Sequence, residues 1–469
     1  MGITDIAEGL TRQVENLSAG ISEALFEPVI RLGVTGLARS GKTVFITGLV
    51  ANLLDRGRMP ALRAEAEGRI QSVMLRPQPD DTVPRFDFET HLAAMTGTAP
   101  RWPDSTRAVS ELRLSFRVTS GGILGGFRGP RTVHLDIVDY PGEWLLDLAL
   151  LDKTYDQWSA EVLARIAPRA EAAGFRDTLS GIDPAARHDE ALAQRLALSF
   201  TGYLRAARAA GFSDCAPGRF LLPGELEGSP VLTFAPLPEG TAGRSSLRRE
   251  MARRFDAYKA KVVKPFFRDH FSKVDRQVVL VDALGAIHAG PRAVEDLRQA
   301  MADLLRAFRP GKASWLGSVL GARRVERILF AATKADHIHH EQHTRLTAIM
   351  AALMREARDR AAFSGADVAA MSVAGMRATV EDLLRHDGAD LPAVRGMQAN
   401  GKPAAFYPGE LPADPAAILT PAREGAPRWL DGDYGAMAMQ PARVTLKPGE
   451  GPPHIRLDRA AEFLIGDRL

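Results

Sequence analysis

The run Gly36-Leu37-Ala38-Arg39-Ser40-Gly41-Lys42-Thr43 fits the pattern G-x-x-x-x-G-K-[ST] at every fixed position. Those residue types at that spacing suit the holding of a polyphosphate. The glycines let backbone N–H groups close around phosphate oxygens, Lys42 offers its charge to the β/γ-phosphates, and the Thr43 hydroxyl is a ligand for Mg²⁺. The residues expected at the phosphates are Gly36, Ala38, Arg39, Ser40, Gly41, Lys42, Thr43 and Val44. Lys42 and Arg39 are the candidates for stabilising charge during phosphoryl transfer, and the arginine-rich helical stretch that begins soon after Gly142 is a second source of an arginine in cis. An ordinary glycine turn is the competing reading, and the flanks decide against it. Val29 to Val34 is short and β-branched like a buried strand, and Val44 to Leu54 has helical length and period, so strand, loop and helix come in the required order.

Downstream, Thr132 to Val138 reads as a strand that ends in Asp139-Tyr140-Pro141-Gly142. A strand terminating in D-x-x-G resembles the metal and γ-phosphate sensor of small GTPases. Asp139 would hold Mg²⁺, and the Gly142 N–H would meet the γ-phosphate. Glu143 follows, where many small GTPases place a glutamine that orients the attacking water. A carboxylate there can accept a proton from water, yet it also faces the negative γ-phosphate, so Glu143 is either catalytic or a surface residue. The hydroxyl of a mobile segment that completes the metal shell is sought among Thr96, Thr98, Ser105 and Thr106. Thr106 is preferred because it immediately precedes a strand.

Base selection points to Thr333-Lys334-Ala335-Asp336, which resembles the N/T-K-x-D element of GTPases. The Asp336 carboxylate can accept hydrogen bonds from N1 and N2 of guanine, a donor pair adenine lacks, while the Lys334 stem covers the base. Thr333 replaces the commoner asparagine. Ser372-Val373-Ala374 then resembles the S-A-x loop that contacts the guanine carbonyl, which makes Ser372 and Val373 candidates. Asp282, at the end of the strand from Arg276, could be an ATPase-type carboxylate, but with Asp139 in the metal role it reads as a strand-end or capping residue. His337, His339, His340 and His343 have spacings that permit metal binding, although their place after a base-reading loop favours an exposed helix start.

These residues need a scaffold. The expected fold class is α/β: a P-loop NTPase, small-GTPase-like mixed sheet with flanking helices, a large helical insertion and a C-terminal α+β extension. Ile3, Ile6, Leu10, Val14, Leu17, Ile21 and Leu25 mark an amphipathic helix within residues 1–28. The nucleotide domain occupies 29–144 and resumes over 274–390. Helical periodicity at Tyr155 to Ile166, Ala191 to Ala210 and Ser246 to Phe271 defines the insertion, 145–273, and a hairpin at Val394 to Tyr407 with a closing helix from Ile455 forms the extension, 391–469. Gly57 to Thr106, dense in proline and charge, reads as loop-rich. Ser110 to Val118 alternates as a strand with one wet face, forming an antiparallel edge hairpin with the strand ending at Asp139. The basic cluster Arg249, Arg253, Arg254, Lys259, Lys261, Lys264 and Arg268 reads as a solvated helix face.

At 469 residues the chain exceeds one compact core, and 45% hydrophobic with 25% charged residues is the composition of a soluble globular protein. A net charge of +3 makes no independent case for nucleic acid. No stretch reaches the length of a membrane helix, and a single cysteine, Cys215, points to a reducing cytoplasm.

Taken together, Arg31 to Thr43, Asp136 to Trp144, Thr333 to Asp336 and the ending from Ile455 to Leu469 strongly resemble the bacterial YcjX family of P-loop NTPases. The resemblance implies binding of GTP and GDP with Mg²⁺, a helical insertion in a GTPase domain, and a stress-associated role. It further implies a protein partner at the membrane, hence a cytoplasmic protein that can be peripheral at the inner membrane; oligomeric state is left open. The resulting expectation is a slow GTPase acting as a nucleotide-dependent switch. The alternatives are a nucleotide-bound scaffold without useful turnover and a P-loop small-molecule kinase, in which D-x-x-G joined to T-K-x-D would have no role.

Overall fold

The computed structural model describes residues 27–36, 40–104, 108–119, 129–240, 243–270, 273–307, 325–355, 366–429 and 434–469. The N-terminal amphipathic helix expected before residue 27 lies outside them. Seven strands form the main sheet: β1 (Val29–Gly36), β2 (Ile70–Arg76), β3 (Ser110–Val118), β4 (Arg131–Asp139), β5 (Arg276–Val281), β6 (Arg327–Ala332) and β7 (Asp367–Ser372), in the order β2-β3-β4-β1-β5-β6-β7. Strands β4, β1, β5, β6 and β7 run parallel, while β3 is antiparallel to β4 and β2 to β3. This is the mixed α/β sheet of a P-loop NTPase-like fold.

The central strands are near-continuous apolar runs because both faces are covered. Along β5 and β6, Val278, Leu280, Leu329 and Ala331 pack with Phe45, Ile46 and Leu49 of the helix Lys42–Leu54 and with Leu457 and Leu464 of the helix Leu457–Ile465. Val279, Val281, Ile328 and Phe330 point the other way into the cluster that continues through the insertion.

Two local expectations are corrected. The stretch read as loop-rich contains β2, the true edge strand, and the helix Phe88–Thr96, capped by Asp87. Strand β3 therefore lies inside the sheet, and its polar alternation is not a wet face. Arg113 makes paired bonds of 2.6 and 2.8 Å to the fully buried Asp136, Ser115 meets His134 at 2.7 Å, and Glu111 is buried. Partnered polar groups tolerate burial there.

In the insertion, the helices Tyr155–Ile166, Glu190–Ala209 and Leu247–Tyr258 start at Thr154, Asp189 and Ser246, each of whose side chains accepts a backbone N–H. They converge on Trp158, Phe200, Phe234 and Phe255, with Trp158 stacked on Phe255 at 5.0 Å. The basic cluster is not wholly a solvated face: Arg254 is buried between Glu190, at 2.5 Å, and Glu250, at 2.8 Å. Near the C-terminus, β8 (Thr379–His386), β9 (Ala389–Met397) and β10 (Pro403–Phe406) form a second, antiparallel sheet. The closing helix is tied beneath the main sheet by Arg276, which reaches the Leu464 carbonyl at 3.0 Å and Asp467 at 2.9 Å.

Candidate functional site

At the carboxyl ends of the parallel strands lies a cavity of about 440 Å³. This is where open α/β sheets place their ligands. Gly36, Ser40 to Phe45, Gly142 and Glu143 line one side, and Thr333, Lys334, Asp336, Ala374 and Met376 the other. Leu37, Ala38, Arg39 and Thr106 lie outside the described residues.

Glycine is required at both described ends of the run that fits the phosphate-binding pattern. Gly41 sits at φ 73°, which a side chain rarely tolerates, and a Cβ on Gly36 would lie 2.0 Å from the Ser40 hydroxyl oxygen. That buried Oγ has no hydrogen-bond partner among the described residues. The helix Lys42–Leu54 opens with no side-chain cap and no acidic residue in its first turn, so its free N–H groups and positive dipole end face the loop. Thr43 is buried at this start. Lys42 reaches down to β4: its Nζ is 2.5 Å from Asp139 Oδ1 and donates to the Tyr140 carbonyl at 2.8 Å. Asp139 stands behind the cavity lining rather than in it.

Glu143 is buried, and its Oε1 is 2.8 Å from Arg208 Nη2. Arg208 belongs to the last turn of the helix Glu190–Ala209 and itself lines the cavity; the sequence offers the arginine-rich insertion as a source but does not single out this residue. The insertion grips this segment further. A Cβ on Gly218 would lie 2.1 Å from the Glu143 carbonyl oxygen, the Arg219 guanidinium stacks 3.2 Å from the Trp144 ring centroid, and Asp147 accepts bonds from the Gly218 N–H at 2.7 Å and the Tyr258 hydroxyl at 2.5 Å. Complete burial pushes the Asp147 carboxyl up to about 7, against the opposing pull of those two donors.

At the other end, Asp336 Oδ2 accepts the Ala378 N–H at 2.8 Å, and its carbonyl accepts the Thr379 hydroxyl. Lys334, at φ 60°, pairs with Asp282, whose other oxygen caps the next helix through the Gly285 N–H at 2.9 Å. Asp282 is thus the capping residue it was read to be. Thr333 bonds back to the Val281 carbonyl. Ser372 and Val373 are fully buried behind the lining, the serine hydroxyl held by Arg456 at 2.7 Å and donating to the His343 carbonyl at 3.1 Å. Ala374, Gly375 and Met376 line the cavity in their place. Gly375 meets Gly48 backbone to backbone, since a Cβ on Gly48 would stand 2.0 Å from the Gly375 carbonyl oxygen.

Trp102 closes the cavity against the C-terminal extension, its indole donating to the Met439 carbonyl at 2.7 Å. The histidines are not an exposed helix start. His343 is buried and bonded to the Ala335 carbonyl at 2.8 Å, with burial lowering its pKa, and His339 is buried as well. Of the four, His337 is half-buried and His340 alone is exposed, meeting Glu381 at 2.8 Å.

Residues 30–469 match the model of the YcjX-like family, DUF463. The chain is 39% identical over 457 residues to the Ras-like GTPase YcjX of Escherichia coli (strain K12), covering 94% of this chain and 96% of that protein. It is 34% identical over 497 residues to the Ras-like GTPase YcjX of Shewanella oneidensis, covering the whole of both.

Proposed function

The chain belongs to the YcjX-like family, and from that premise and the geometry of the cavity we propose that it binds GTP with Mg²⁺, hydrolyses it slowly, and acts as a nucleotide-dependent switch. The observation that carries this reading is the single cavity that joins the phosphate loop, the D-x-x-G segment and Asp336. Phosphate and base would be held at its opposite ends.

Lys42 would exchange Asp139 for the β/γ-phosphates when nucleotide enters. The Thr43 hydroxyl and the Asp139 carboxylate are hard oxygen donors, a set that suits Mg²⁺, with Thr106 the proposed further ligand. Mg²⁺ would neutralise charge on the phosphate oxygens. Asp336 would accept from guanine, with one oxygen already anchored to the Ala378 N–H. Ala38, Arg39, Ser372 and Val373 remain proposed contacts, the first two through the loop itself and the last two as supports behind Ala374.

The proposed division has the insertion, 145–273, as the output device, because it holds Glu143, Trp144 and Asp147 directly after the γ-phosphate sensor. A stress-associated role and a membrane-protein partner rest on the family resemblance alone. Among the described residues no helix is long and apolar enough to cross a membrane. A second reading, a nucleotide-bound scaffold, is favoured by the engagement of Glu143 with Arg208, which occupies the carboxylate nearest the sensor.

Binding of GTP, GDP and ATP, followed by single-turnover phosphate release, tests the proposal. Tight guanine-selective binding with measurable release is expected. Equal affinity for ATP overturns the base assignment, and selective binding without release leaves the scaffold.

A further inference from the structure

Glu143 poses an electrostatic problem. A carboxylate beside the γ-phosphate position would repel the charge that builds on the transferred phosphoryl group, yet Glu143 is buried there and shares the cavity with Lys42 and Gly142. Arg208 is what neutralises it, at 2.8 Å. The arginine is held by a rigid mount: on the same helix, Leu204 and Ala207 are packed into the insertion core, and the Gly211 N–H closes on the Arg208 carbonyl at 3.2 Å. Its side chain keeps 27% exposure on the cavity side of that core, against 9% for Glu143. Glu143 meets the guanidinium at Nη2, and a guanidinium carries five N–H donors in a planar fork, more than one carboxylate can take up.

We propose that Arg208 is the catalytic arginine of this site, supplied in cis by the insertion, oriented by Glu143 and donating its free N–H groups to the γ-phosphate oxygens during hydrolysis. The inference rests on the GTP hydrolysis proposed above. In that step the water oxygen bonds to Pγ, and the bond from Pγ to the bridging oxygen breaks with its electron pair remaining on GDP. The protons of the water leave with inorganic phosphate and solvent. Arg208 transfers nothing; it stabilises charge on the equatorial oxygens, a contribution of roughly 10³–10⁵ in rate where an arginine supplies it. Glu143 acts as its positioning residue. This also separates the insertion from a passive output element, since its helix would carry part of the active site.

The test uses the full chain and the variants Arg208→Ala and Arg208→Lys. Both are measured for single-turnover GTP hydrolysis, GDP affinity, thermal midpoint and formation of a GDP–aluminium fluoride complex. The expected result is a rate lowered by roughly 10³-fold in both variants, loss of the aluminium fluoride complex, and unchanged GDP affinity. Lysine is the discriminating substitution. It keeps a cation for Glu143 but lacks the fork, so a wild-type rate in Arg208→Lys means that Arg208 serves only to hold Glu143 and overturns the proposal. A wild-type rate in Arg208→Ala does the same. If the alanine variant does not fold, the lysine variant decides. Absence of hydrolysis by the unmutated chain removes the proposed activity and this inference together, an outcome distinct from an active wild type with active variants.

Discussion

Lys42 of the phosphate loop and Asp139 at the end of β4 form an ion pair of 2.5 Å, with the two side chains 11% and 1% exposed. The lysine that would grip phosphate and the carboxylate that would hold the metal thus neutralise each other across the base of the cavity. On the function proposed above, nucleotide would exchange this pair for two others, its own phosphates with Lys42 and its cation with Asp139.

Removing one member strands the other. Lys42→Ala or Asp139→Ala alone is expected to cost about 3–5 kcal/mol of stability without nucleotide, because a buried charge loses its partner. The double variant should cost clearly less than the sum. Chemical denaturation of the four proteins measures the coupling, and strict additivity would show that the pair does not exist in solution. All three variants should lose nucleotide binding.

Asp336→Asn exploits the anchoring bond. The amide oxygen can still accept the Ala378 N–H, so the loop keeps its shape, but the NH₂ group then takes the other position, where guanine needs an acceptor. GTP affinity should fall by roughly 100-fold and xanthine nucleotide should bind better than in wild type. Retained preference for GTP would move base recognition to another residue.

Two glycines, one in a close approach and one in open space, predict opposite signs. Gly48→Ala drives a methyl into the Gly375 carbonyl oxygen, backbone that cannot step aside, and should destabilise by about 1–3 kcal/mol while weakening nucleotide binding through the displaced Ala374 to Met376 loop. Gly174→Ala, in the helix Ala173–Leu179 with open space around the new methyl, should stabilise by about 0.5–1 kcal/mol. Equal effects in thermal melts would contradict the close approach of the helix Lys42–Leu54 to this loop.

What could be read without coordinates was what is local. Gly36 to Thr43, Asp139 to Gly142 and Thr333 to Asp336 stand out because the phosphate, cation and base proposed for them would each demand fixed residue types within a few positions, and residues of all three runs do line one cavity. Strand β2 escaped because its seven residues sit among prolines and charges and only one of them, Ile70, is buried. The β8–β9 hairpin carries the Asp387-Gly388 turn, both residues at positive φ, but its strands are too exposed to show a buried face. Arg208 has no local signature at all. Its place beside Glu143 is made by the packing of the insertion around Trp158 and Phe200, and one arginine among several on a helix cannot advertise that.

Asp147 makes the segment after Glu143 sensitive to pH. Its carboxyl is fully buried, accepts from the Tyr258 hydroxyl and the Gly218 N–H, and is drawn down by the positive charge of Arg219; burial dominates and lifts it from an ordinary 3.8 to about 7. In the unfolded chain the same group ionises near its ordinary value. Between about pH 4 and about pH 7 the folded protein therefore holds a proton that the unfolded chain has released, and stability falls as pH rises. The contribution is fully present below about pH 4 and gone once pH passes about 7. Asp147→Asn cannot ionise, and the Tyr258 hydroxyl can turn to accept from the new amide, so the variant should lose this part of the slope. Urea midpoints from pH 4.5 to 7.5 on both proteins make the comparison. A steeper decline in wild type is expected, and parallel curves would mean that Asp147 is ionised throughout, its charge met by Tyr258 and Arg219 rather than by a proton.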